Sequence, residues 1–140
     1  MSEQVVFDRT PQGLLILRLT LALFFAQWSI EKFIHPEAAA SIFAHFYGLQ
    51  ISTLISYVFG AVELALTIGL LLGVARMIAL GGLIVIHGLS VIVSWYQLLH
   101  PWAAVPNHLF IASVPILGAL IALFLLRDRD TLLVVKIGQP

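Results

Sequence analysis

Cysteine is absent from the 140 residues. That absence excludes thiolate nucleophiles, disulfide exchange and cysteine-ligated metal or iron–sulfur centres within the chain. Charge is scarce as well: 10% of the residues are Asp, Glu, Lys or Arg, against about 25% in soluble domains. Seven basic and seven acidic residues cancel, so no basic surface invites nucleic acid and none is expected as a partner. The opening MSEQVVFDRTPQ is polar and holds two acids. It lacks the basic-then-apolar order of a cleavable signal peptide, so the first apolar run is expected to be a permanent anchor.

What the chain has in abundance is apolar surface: 61% hydrophobic residues and a mean hydropathy of +1.05. A soluble core of this length cannot hide that much, so residues 1–140 are expected to form one membrane-embedded unit in contact with the lipid bilayer. A bilayer core takes about 20 mostly apolar residues per helix. Four segments qualify, at about 13–34, 51–73, 76–99 and 107–126. The expected fold is all-α, a four-helix membrane bundle. The break between the second and third spans is so short that they form a tight antiparallel hairpin.

Arg9, Arg76, Arg127, Arg129 and Lys136 fall on one side of these spans and Lys32 alone on the other. The positive-inside rule then places both termini in the cytoplasm, with the tail 127–140, of a protein in the cell's inner (plasma) membrane. Trp28, Trp95, Tyr96 and Trp102 gather toward the outer interface, where amphipathic rings are favoured. In the first outer loop Pro36 suits a helix start and Gly48 a helix stop. Glu37, Ser41 and His45 share one face there, and Ala39, Ile42, Phe43 and Phe46 the other. That pattern predicts a short helix over about 36–47 lying flat on the outer membrane surface. The second outer loop, HPWAAVP, reads as a compact turn with Asn107 capping the fourth span. Pro115 frees the Ile111 carbonyl and is expected to kink that span.

The chemistry lies in the polar residues inside the membrane. At 1.5 Å rise per residue Glu63 lies roughly 15 Å, and His87 roughly 16 Å, from the cytoplasmic ends of antiparallel neighbours. Ser52, Ser56 and Thr67 share the Glu63 face. His87, Ser90, Ser94 and Gln97 form a stripe on the third span, and Gln27 and Glu31 pair on the first. Arg18 projects from a different face of the first span, with Ser29 and Lys32. Polar groups are costly against lipid and should turn inward. These stripes therefore predict a cavity open to the outside, floored by Glu63 and His87, with Trp28, Tyr57 and Trp95 as an aromatic wall. Arg18 is long enough to reach Glu63 as a structural ion pair. Without that pairing Glu63 would be a neutral acid with His87 as its hydrogen-bond partner. Both alternatives stand on the sequence. His35, His45, His100 and His108 lie on the outer side without metal-ligand spacing, so no metal is expected. Only His87 is deep, which argues against a bis-histidine haem. Glycines 81, 82 and 88 offer a face for a homo-oligomer.

Three stretches carry a family likeness. LLILRLTLALFFAQWSIEKFIHPE sets out Arg18, Ser29, Lys32 and Pro36, followed by Gly48 and Leu49. FGAVELALTIGLLLGVAR holds Glu63, a glycine-containing apolar run and Arg76. A closing helix leads into RDRDTL. In this the chain resembles the DoxX-like membrane proteins, a group that includes MauE-like members, with Ser29 at a place more often held by glycine. The resemblance implies a four-helix membrane unit linked to quinone or sulfur oxidation, oxidative stress or redox complexes, and in some relatives to assembly. Without cysteine, the thiol-handling branch is not expected here.

Three functions follow as expectations. The first is a quinone-linked component of a membrane redox complex. Glu63 and His87 would meet a bound quinone, and a membrane or peripheral redox partner would carry the electrons, since the chain has no cofactor motif of its own. As an enzyme it would be a membrane subunit of an oxidoreductase rather than self-sufficient. The second is a non-catalytic scaffold or assembly factor that meets a partner through helix 36–47 and tail 131–140. The third is a binder of small solutes or lipid headgroups, using Gln27 and Ser94 in the outward cavity.

Overall fold

Apolar runs separated by Pro, Gly and short polar breaks fold here as helices, as seen in a computed structural model that describes residues 8–105 and 107–135. Lys136 and the rest of the tail, 136–140, lie outside the described residues. In chain order the elements are α1 (Thr10–Ile34), α2 (Pro36–Ile42), a π-helical turn (Phe43–Tyr47), α3 (Thr53–Leu72), α4 (Arg76–Val93), α5 (Trp95–Leu99), a 3-10 turn (His108–Ala112), α6 (Ser113–Leu125) and a last 3-10 turn (Arg127–Arg129). Among the described residues there is no strand. Four segments, α1, α3, α4 and His108–Leu125, are long and apolar enough to cross a membrane.

Local chemistry sets the boundaries. Pro11 sits in the first turn of α1, where a missing N–H costs nothing. The Ser52 hydroxyl accepts from the Ile55 N–H at 3.4 Å and starts α3. Gly73, at φ +67°, ends α3 in the left-handed conformation, and the Val74 N–H returns to the Gly69 carbonyl. The α3–α4 connection is thus the tight hairpin expected. Gly48, at φ +66°, stops the π-helical turn. In that segment Glu37, Ser41 and His45 are exposed, while Ala39 is buried and Ile42, Phe43 and Phe46 are partly covered.

Two boundary expectations are corrected. Asn107 does not cap the fourth span with its side chain. Its amide instead donates to the His100 carbonyl at 3.3 Å and closes the loop. Pro115 does not kink a long helix: the α-helix begins only at Ser113, placing Pro115 in its first turn, and residues 108–112 wind as 3-10. Proline cannot donate to the Ile111 carbonyl, so the span tightens before it rather than bending after it.

The long helices form a ring in chain order. α1 packs most extensively on α3, α3 on α4 and α4 on α6, and α6 closes sparsely onto α1. The end that carries the starts of α1 and α4 is called here the terminal end, and the opposite one the loop end. A core of Leu14, Leu21, Ala22, Phe25, Leu70, Leu80, Leu83, Leu120 and Leu123 fills the interior. Ile16, Leu23, Leu54, Met77, Ile78 and Val85 stand exposed around the outside, as a hydrocarbon solvent requires.

Candidate functional site

Two charged clusters occupy the interior, one toward each end. The first joins α1 to α3. The buried face of α3 is Ser56, Gly60, Glu63, Thr67 and Leu70, a helical stripe of mainly small residues. A methyl group on Gly60 would lie 3.0 Å from the Lys32 Cβ and from the Phe33 ring, so the missing side chain is what lets α1 approach. The Ser56 hydroxyl donates to the Lys32 carbonyl at 3.2 Å and fixes the register. Glu63 lies three residues deeper than Gly60, about 4.5 Å along the axis. The Lys32 ammonium donates to Glu63 Oε2 at 2.6 Å and to the Trp28 carbonyl at 3.0 Å. The Lys32 side chain is 17% exposed and that of Glu63 6%.

The second cluster lies at the terminal end. Arg18 is fully buried and donates to Asp130 Oδ2 at 3.2 Å, to the Leu133 carbonyl at 3.1 Å and to the Leu132 carbonyl. Arg76 donates to the carbonyls of Arg127 and Asp130, the latter at 2.7 Å. The Val135 N–H donates to the Leu72 carbonyl at 2.9 Å. Outside, Asp8 meets Arg129 at 2.7 Å. The Thr10 hydroxyl and N–H, then Arg129, hold the exposed Asp8 carboxyl at about 2, below its usual 3.8. The segment 127–135 thus folds back across the bundle rather than hanging free.

These contacts replace the expected Arg18–Glu63 pair. The reason is the tilt of helical side chains toward the N-terminus of their own helix. On α1 that tilt carries Arg18 to the terminal end, away from Glu63. It also carries Lys32 inward from the loop end. On antiparallel α3 the same tilt sends Glu63 toward the loop end, so Lys32 and Glu63 converge. The fourteen-residue step from Arg18 to Lys32 spans about 21 Å, which one guanidinium cannot bridge.

The expected cavity floor is divided in the same way. His87 is buried, but its Nε2 donates to the Ser113 carbonyl at 2.9 Å. Its ring meets Phe24 and Phe25 edge-on, with centroids 5.8 and 5.6 Å away. Among the described residues no hydrogen bond joins Glu63 to His87. Ser90 donates to the Ile86 carbonyl and receives Tyr47 Oη at 3.2 Å, while Ser94 bonds back to the Ser90 carbonyl at 2.8 Å. The stripe therefore bonds mainly to its own backbone and to Tyr47. Gln97 has a buried Oε1 without a partner. Gln27 is exposed and Glu31 partly so. Trp28, Tyr57 and Trp95 are exposed at 42%, 39% and 58%. They stand on the outer surface of the bundle rather than as a shared wall, and Tyr57 stacks on Phe33. Of the three glycines proposed for a homo-oligomer face, Gly82 packs against Leu66 and Gly88 faces Leu117, both within the chain.

A groove of about 250 Å³ follows the sparse α1–α6 seam, lined by Leu17, Thr20, Leu21, Phe24, Pro115, Ile116 and Ala119. Phe24 separates it from His87. Among the described residues no three His, Asp or Glu side chains converge where an ion could sit. Sequence reasoning missed two partners. Lys32 was legible from the side-chain tilt. Asp130 was not, because nothing in RDRD says that the tail turns inward.

Comparison with known proteins adds one match: the family model described as DoxX covers residues 13–95, more than half of the chain. That stretch contains Arg18, Lys32, Glu63, Arg76 and His87. No curated protein and no solved structure matches the chain.

Proposed function

Because the chain belongs to the DoxX family of membrane proteins, we propose that it is a multi-pass, non-catalytic holding subunit, which anchors a partner of a redox complex in the membrane. One observation carries this reading. Each deep ionic side chain is held by this chain: Glu63 by Lys32, and Arg18 by Asp130. His87 is fixed through Nε2 by the Ser113 carbonyl. A proton-exchanging site would need one of these groups free to change its charge, whereas a rigid anchor uses them as cross-braces between helices.

In this reading both termini face the cytoplasm of a cell with the protein in its inner membrane. Support comes from Arg9, Arg76, Arg127 and Arg129 at the terminal end, against Lys32, which is neutralised by Glu63. The α2 segment lies on the outer surface, with Glu37 and His45 toward water. Its exposed face is then the partner surface on that side.

The test is capture from native membranes of the tagged protein and of a variant carrying both Lys32→Met and Glu63→Leu, which removes the pair without stranding a charge. Both are expected to retain the same partner. Loss of the partner from a variant that still folds would assign Lys32 and Glu63 a chemical role instead.

A second reading keeps a quinone. Its support is the apolar α1–α6 groove beside Phe24, open to the lipid from which an isoprenoid quinone would enter. Organic extraction of the purified protein checks it, with one quinone per chain expected. Loss of that quinone on substituting Phe24→Ala would locate it, and absence of any quinone would end this reading.

A further inference from the structure

The terminal-end cluster has the make-up of a peptide-binding site. Arg18 comes from α1 and Arg76 from the start of α4, and both hold one short segment. Between them they grip one carboxylate and the carbonyls of Arg127, Asp130, Leu132 and Leu133. Four backbone carbonyls and one carboxylate describe an acid-bearing peptide that winds through a 3-10 turn at Arg127–Arg129 and a left-handed residue, Leu133 at φ +49°. Gly73 completes the cradle: a methyl group there would lie 2.4 Å from Arg18 Nη1 and 3.2 Å from Val134.

The fit is incomplete. Arg18 Nε and Asp130 Oδ1 are both buried, and both lack a partner. Arg18 is held end-on through Nη1, where a guanidinium can hold a carboxylate through two parallel bonds. A carboxylate that presents both oxygens would satisfy atoms the present occupant strands. Emptying the site would leave the Arg18 guanidinium without its counter-charge. An incoming acid-bearing segment would supply it again.

We propose that Arg18 and Arg76 form a recognition site for a turn-forming, acid-bearing peptide segment of a partner, and that residues 127–135 fill this site in cis as a strap. The inference rests on the holding-subunit reading and gives its partner a chemistry.

The test uses the full chain with Val134→Cys, which carries a single thiol because the protein has no cysteine. Labelling by a membrane-impermeant maleimide reads strap opening in neutral-lipid nanodiscs. The competitor is a synthetic peptide of residues 127–135, RDRDTLLVV, and its control carries Asp130→Asn. The peptide with Asp130 is expected to raise the labelling rate saturably, by at least about tenfold, equivalent to about 1.4 kcal/mol, and the control to leave it unchanged. Within the chain, Asp130→Asn should raise the rate in the same way and Asp130→Glu should restore it. Should Asp130→Asn fail to fold, the peptide arm decides alone. Equal effects of the two peptides, no effect of either, or opening by anionic-lipid nanodiscs without peptide would overturn the proposal. No partner enters this assay, so its failure leaves the holding-subunit reading standing. Failed capture with intact exchange would count against that reading alone.

Discussion

Replacing Lys32 by Met tests the brace between α1 and α3. The substitution keeps the length of the side chain and removes its ammonium, leaving the Glu63 carboxylate 6% exposed and without its 2.6 Å partner. Breaking a fully buried pair costs about 3–5 kcal/mol. Lys32 lies near the loop end of its helix and retains 17% exposure, so the pair is not fully buried and the expected loss falls at about 2–4 kcal/mol. Glu63→Leu strands the ammonium instead, which can turn toward the loop end, so its cost should be smaller. The double variant strands nothing and should lie within about 1 kcal/mol of the parent, because an apolar pair of similar volume often replaces an ionic one without loss. The coupling energy from the complete cycle should then be at least about 2 kcal/mol. Denaturant unfolding in mild detergent, followed by helical circular dichroism, measures all four proteins. Additivity within about 0.5 kcal/mol would refute the brace, whatever the size of the single effects.

Other outcomes follow from the same geometry. Gly73→Ala forces a side chain onto φ +67° and against Arg18, and should cost more than about 1 kcal/mol. Gly81→Ala, which meets nothing within 4 Å, should stay within about 0.5 kcal/mol, as read by the same unfolding curves. Gly60→Ala presses on Lys32 and Phe33. It should cost about 1–3 kcal/mol and slow the closure of a disulfide engineered across α1 and α3. The Asp8 carboxyl should titrate near 2 by carbon-detected NMR. Its folded value is depressed by the Thr10 hydrogen bonds and then by Arg129, so these contacts contribute above the ordinary value of 3.8 and are lost only as pH falls toward 2. A midpoint at 3.8 would show that they do not form.

Much of the fold was legible because membrane physics writes it in plain periodicity. Four apolar runs gave four helices, Gly48 and Gly73 ended their segments, and the buried stripe around Glu63 followed from its spacing with Ser56 and Thr67. The candidate site was less legible. Arg18, Glu63, His87 and Ser94 are buried while Gln27, Trp28 and Tyr57 are exposed, and the pairing of Arg18 with Glu63 rested on side-chain length without side-chain direction. Helical tilt separates those two and brings Lys32 to Glu63. The stripe of Ser90 and Ser94 reads from sequence either as the lining of an outward cavity or as small residues whose hydroxyls bond to their own backbone. Serine hydroxyls in apolar helices bond back to their own carbonyls, and both do so here. Asp130 could not be found by pattern, since its role depends on a chain reversal after α6 that no turn residue announces.

The claim that this protein holds rather than reacts is tested most directly by native mass spectrometry of particles released from native membranes in nanodiscs. The account predicts the mass of this chain together with at least one other polypeptide, unchanged in the variant with Lys32→Met and Glu63→Leu. A lone chain carrying one quinone-sized molecule, lost in that same variant, would contradict it.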